Sequence, residues 1–161
     1  MSLLKSIFLT LAVLAGCTSA PKLDHYTLSV ERSGQARPTL NLEVERLATT
    51  EVLAGDRILI RASPTRVEHF ETARWAGGLG ELVQQKLATE LGPAIPGRST
   101  VRVSGTVLSC GQLDTPGGPM AEVRLEIELR DPVLRRFDAP LLRRRYEATT
   151  PVGGAGVEAL V

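Results

Sequence analysis

Apolar and polar residues alternate along most of this chain, and one central stretch changes period. Alternation sends every second side chain to one face, the signature of a strand covered on one side. The clearest case is 122–130, where Val123, Leu125, Ile127 and Leu129 point one way and Glu122, Arg124, Glu126, Glu128 and Arg130 the other. Residues 25–30 and 39–47 alternate too, the second through Leu40, Leu42 and Val44. Residues 57–61 (RILIR) are β-rich with charged ends, and 66–70 can return beside them after Ser63-Pro64. Val101, Val103 and Val107 share a face of a strand over 101–110, and a last strand is predicted over 141–149. In the middle, Leu79, Leu82, Val83, Leu87 and Leu91 follow spacings of three and four, which predicts an amphipathic helix over 79–91. Gly92-Pro93 stops it, because Gly accepts a left-handed conformation and Pro cannot continue the ladder.

Turn signals at Ser33-Gly34 with Pro38, Gly55-Asp56, 114–119 (DTPGGP), Asp131-Pro132 and Ala139-Pro140 separate these elements. Together they describe an α+β domain: a two-layer arrangement with a sheet of about six to seven strands, largely antiparallel, and one long helix. After a loop at Pro151-Val152-Gly153-Gly154, Val157, Leu160 and Val161 begin another helical spacing, so a truncated C-terminal helix is expected, too short to persist alone. A single helix is then a narrow cover for the dry face of the sheet, and self-association into a homo-oligomer is one way to close it.

The N-terminus carries a different message. Lys5 supplies a short positive region, and Ile7 to Leu14 is apolar apart from Thr10. That run is shorter than the ~20 residues a permanent membrane helix needs, and it fits a secretory signal. Leu14-Ala15-Gly16-Cys17 resembles a bacterial lipobox at every position. Residues 1–16 are therefore expected to be removed, leaving Cys17 as the new terminus with a diacylglyceryl group on its thiol and an acyl group such as palmitate on its amine. Residues 17–24 read as a lipidated tether, and 25–161 as a single domain. Each buried CH₂ of an acyl chain contributes ~0.8 kcal/mol, so two or three chains anchor stably. Thr18-Ser19 lacks the Asp that commonly retains lipoproteins in the inner membrane, so the expected location is the outer membrane, facing the periplasm.

Charge adds an exclusion. The chain has 19 basic and 18 acidic residues, and loss of Lys5 levels the two. No broad basic face for nucleic acid is predicted. Of the two cysteines, Cys17 is consumed by lipid, so Cys110 has no partner in its own chain and is expected to be a buried, inert thiol.

Little in the sequence points to catalysis. His25 and His69 each sit in a strand pattern without a ligand at metal-binding spacing, and no nucleophile elbow, P-loop or dinucleotide fingerprint is present. No cofactor beyond the covalent lipid is expected. Gly77-Gly78-Leu79-Gly80 precedes the helix and is either an anion cradle or a flexible helix start. Arg143, Arg144 and Arg145, with Arg130, Arg135 and Arg136 nearby, are either an anion contact or a charged edge strand protected from pairing. Arg74 and Trp75, just before the helix, are either a core anchor or a partner contact.

Several segments together resemble the ABC-type transport auxiliary lipoproteins, including the lipoprotein of the paraquat-inducible system. These are the lipobox, Tyr26-Thr27-Leu28, residues 57–61, and Val67-Glu68-His69-Phe70-Glu71-Thr72-Ala73-Arg74-Trp75-Ala76 followed by Leu82-Val83 and Leu87. His69 stands at one of the family's aromatic places, and Gly77-Gly78 at its proline-rich step. The resemblance implies a non-enzymatic, periplasm-facing lipoprotein that works beside an ABC permease, its ATPase and a mammalian-cell-entry domain protein, moving phospholipid or other apolar molecules between membranes. It also implies that relatives continue into a full second helix. The rival reading is a structural scaffold lipoprotein of an unrelated envelope assembly.

Overall fold

The computed structural model describes residues 20–29, 40–133, 138–153, 157 and 160. The segment 1–16, Cys17, the Ser33-Gly34 loop, Arg135 and Arg136 lie outside the described residues. The described residues form one eight-stranded open sheet and one long helix. Its elements are β1 (Asp24–Tyr26), β2 (Leu42–Val44), β3 (Ala48–Thr49), β4 (Arg57–Arg61), β5 (Val67–Trp75), α1 (Leu79–Leu91), β6 (Val101–Thr115), β7 (Gly118–Arg130) and β8 (Leu142–Pro151). The strand order is β1-β5-β4-β6-β7-β8.

The long ladders β6–β7 and β7–β8 are antiparallel, joined to the antiparallel β4–β5 pair by the shorter parallel β4–β6 pairing. Along one edge β6 pairs with β7 from Arg102 to Thr115; along the other it takes β2, β3 and β4 in succession, all parallel. Parallel neighbours need a crossover, and β5 with α1 supplies the one between β4 and β6.

The segment 39–47, read as one strand, is instead broken. Leu40 is exposed, β2 covers only Leu42–Val44, and β3 resumes at Ala48. The break has a physical cause in α1. The Gln84 side-chain amide donates to the Val44 carbonyl at 3.0 Å, and Gly80 packs so closely on the Leu47 carbonyl that a Cβ would overlap it. Gly80 thus reflects close helix-to-backbone packing, which neither a flexible start nor an anion cradle requires. A 3₁₀ turn at Glu51–Leu53, not expected from the pattern, then drops Leu53 into the core. The first strand is also shorter than 25–30, and β5 runs on to Trp75, well beyond 66–70.

The helix ends where the sequence places its stop. Gly92 takes φ 82° and its N–H bonds the Ala88 carbonyl. The loop that follows is held by Asn41, whose side-chain amide donates to the Ile95 and Arg98 carbonyls while its oxygen accepts from the Ile95 N–H. Against the sheet, α1 buries Leu79, Leu82 and Val83 beside Ile58, Trp75, Val107 and Cys110. Each such aliphatic side chain contributes roughly 1.5–3 kcal/mol by leaving water. Of the C-terminal stretch, Val157 is buried and the Leu160 N–H bonds its carbonyl at 2.9 Å.

Candidate functional site

Two faces of the β6–β7–β8 meander define what the molecule presents. The register places Val123, Leu125, Ile127 and Leu129 of β7 beside Ala148, Tyr146, Arg144 and Leu142 of β8 on the face toward α1. Here α1 stands off from β7 and β8, and a groove of about 340 Å³ opens between them. Leu28, Trp75, Val83, Leu87, Val123 and Leu125 line it, Leu160 closes part of it, and Lys86 and Glu90 sit at its helix side. None of the four apolar β7 residues is fully buried, and Leu142 and Tyr146 remain 45% and 46% exposed. One helix therefore covers the dry face only in part.

The opposite face is a lattice of glutamates and arginines. Glu128 is bonded by Arg130 (2.8 Å) and Arg143 (2.6 Å), and Arg145 lies 3.5 Å from Glu126. Partial burial alone would raise the Glu128 carboxyl, but the hydrogen bonds and charges of Arg130 and Arg143 outweigh it and hold the group below its ordinary range. Consecutive strand residues alternate faces, so Arg143-Arg144-Arg145 does not form one cluster. Arg143 and Arg145 are neutralised on this face, while Arg144 lies over the Tyr146 ring, 5.4 Å from its centre.

Glu122 is the residue that sequence reasoning missed. Its place in an alternating run suggests a solvated carboxylate, yet it is 6% exposed. It accepts from the Ser109 hydroxyl at 2.5 Å and from Arg124 at 3.3 Å, and pairs with Arg61 at 3.2 Å. Next to it in the sheet, Cys110 is buried, and desolvation with the Glu122 charge pushes its thiol up to about 12. Such a thiol is inert at neutral pH.

Trp75 is 3% exposed and belongs to the core, with its indole N–H unpartnered. Arg74 folds back to donate to the carbonyls of Phe70 and Ala73. His25 and His69 stand apart, opposite Arg74 and Leu59 respectively. Among the described residues no group of three or more His, Cys, Asp or Glu is placed to hold a metal, and no helix is long and apolar enough to cross a membrane.

The groove is lined mainly by apolar side chains, with Lys86, Glu90, Cys110 and Glu122 also on its wall, and suits an apolar guest. The family model for the ABC-type transport auxiliary lipoprotein component matches residues 26–161. The chain belongs to this family. Among solved structures, this auxiliary lipoprotein component is similar to a Xanthomonas campestris protein of family DUF330. That similarity has TM-score 0.67 and 16% identity, covering 85% of this chain and 83% of that one. It is also similar to an uncharacterized protein, with TM-score 0.64 and 17% identity, covering 87% of each chain. At such identities the likeness is one of fold. No curated protein matches the auxiliary lipoprotein component.

Proposed function

We propose that this auxiliary lipoprotein component acts without catalysis, as a docking element of an ABC-type system that moves phospholipid or other apolar molecules across the periplasm. In this reading Cys17 carries the lipid, the tether 17–24 holds the domain at the outer membrane, and the partner is a mammalian-cell-entry domain protein with its permease and ATPase. The observation that supports it is the apolar groove beside α1, left open by a chain whose family works with ABC transport. Open apolar surface of this kind is costly unless something covers it during function.

Two experiments test the reading. Cys17→Ser should abolish both membrane fractionation and incorporation of labelled fatty acid; unchanged labelling would remove the anchor from the proposal. A photo-reactive residue at Leu87, on the groove wall, should cross-link the mammalian-cell-entry partner in intact cells. If Leu87 captures no transport component and Leu87→Asp leaves lipid transport unchanged, the scaffold reading takes its place.

A further inference from the structure

The outer strand of the sheet is unusual in being long, regular and bare. All ten residues of β8 are exposed, and its pairing with β7 runs without a bulge from Leu142 to Pro151. The Val152 N–H bonds the Pro119 carbonyl, one step beyond the Met120–Pro151 pair. Bonded residues alternate along an antiparallel ladder, so even-numbered residues from 142 to 150 turn their backbone groups toward β7. Residues 143, 145, 147 and 149 therefore present N–H and C=O groups to the open edge. Natural sheets blunt such an edge with inward charges, prolines or bulges. Here Pro151 stands only at the end, and the charges of Arg143, Arg144, Arg145 and Glu147 guard the edge, so only a register that keeps like charges apart can pair it.

We propose that β8 pairs antiparallel with β8 of a second copy of this chain, about a two-fold axis through Tyr146. The axis is perpendicular to the sheet, so each face continues into the same face of the second copy, and opposed residues have the same parity. Centring on Arg144, Arg145 or Glu147 sets like charges directly opposite, which is unfavourable. Centring on Tyr146 sets Arg145 opposite Glu147 of the second copy, twice by symmetry, and Tyr146 against its own equivalent. Arg143 meets Thr149, Arg144 meets Ala148, and Leu142 meets Thr150. Glu147, which makes no ion pair among the described residues, gains one; the half-exposed Leu142 and Tyr146 gain cover. The register also uses the whole strand, and Pro151, with no N–H to give, falls outside the last bonded pair. The contact is isologous and closes as a dimer, which removes the open edge.

Cysteine cross-linking of the full-length chain in membranes tests this register. Tyr146 would be a non-bonded pair across the axis, with Cα atoms ~4.5 Å apart, inside the disulfide range. Tyr146→Cys should give a disulfide-linked dimer on mild oxidation. Arg144→Cys, whose equivalents lie about 14 Å apart along the ladder, should give no more than the parent chain. Independently, Glu147→Arg should raise the dimer dissociation constant on the order of tenfold by turning two attractive pairs repulsive. The proposal is overturned if Tyr146→Cys cross-links no better than Arg144→Cys, if it cross-links to a different polypeptide, or if Glu147→Arg leaves the association unchanged.

Discussion

Replacing Glu122 by Leu isolates the buried charge cluster. The substitution keeps roughly the same bulk but removes the acceptor shared by Ser109, Arg61 and Arg124. Removing one partner of a fully buried ion pair costs ~3–5 kcal/mol, because the other charge is left uncompensated. The Arg61 and Arg124 side chains are 25% and 27% exposed, so their guanidiniums can turn partly toward water. The Ser109 hydroxyl, 2% exposed, cannot; it loses the acceptor for its proton and keeps only the bond it accepts from Arg61 at 2.9 Å. The lower end, about 3 kcal/mol, is therefore expected. For a domain of this size that lowers Tm by roughly 6–12 °C. Thermal unfolding followed by circular dichroism, with urea titration as a check, measures it. Glu122→Gln, which keeps a neutral acceptor, should fall between parent and Glu122→Leu. Adding Ser109→Ala to Glu122→Leu should bring little recovery, because the unpaired O–H donor disappears but Arg61 loses the acceptor it still has there. A Tm within about 2 °C of the parent for Glu122→Leu would refute the reasoning, since it would mean that the cluster is solvated in solution.

Other outcomes follow from single features. Trp75→Ala should cost ~3–5 kcal/mol in a urea titration, whereas Trp75→Phe should cost far less, because the indole N–H it loses has no partner; equal losses would show that the N–H is bonded after all. Gly80→Ala should lower Tm despite Ala's better helix propensity, because its Cβ meets the Leu47 carbonyl; a raised Tm would show that α1 can shift outward freely. Cys110 should resist iodoacetamide at pH 8 in the native chain. Because its thiol is raised from 9.0 to about 12, its contribution to stability is complete below 9.0 and lost between 9.0 and about 12; a Cys110→Ala chain with an unchanged alkaline limb would contradict this. Glu128 has the opposite sign. Its lowered carboxyl stabilises the fold above the ordinary value of ~4.3 and stops doing so as pH falls through the folded value, so Glu128→Gln should flatten the acid limb.

The elements that could be read from sequence are those whose period is decided locally. α1 shows itself through leucines three and four apart, and its end through Gly92-Pro93, because caps and amphipathic faces need only neighbours in the chain. β7 shows itself through nine alternating residues. The break at 45–47 was invisible because its cause is distant: Gln84, forty residues on, bonds the Val44 carbonyl, and Gly80, some thirty on, packs against the Leu47 carbonyl. The burial of Glu122 was equally hidden, since only the sheet order brings Arg61 from β4 and Ser109 from β6 to it. The splitting of Arg143-Arg144-Arg145 was available, because strand alternation alone puts the middle residue on the other face. The groove was foreshadowed by the narrowness of one helix against a long apolar strand.

The position of β6 has a bearing on how the chain can fold. β2, β3, β4 and β7 all bond to this one strand, and without it the sheet would fall into β1-β5-β4 and β7-β8, with β2 and β3 left unpaired. Its pairing with β7 is closed by a turn at Pro116-Gly117, so it costs little loop entropy and can form early. The parallel partners arrive from much farther along the chain: Leu42 must find Val101, and Leu59 must find Gly111. Contacts of that separation are slow. During that interval the β6–β7 hairpin exposes an unpaired edge from Val101 to Leu113, the most dangerous moment for a chain of this topology. A newly made molecule is therefore at greatest risk of misassociation before its N-terminal strands dock, and in that window it depends on being kept apart from other copies of itself.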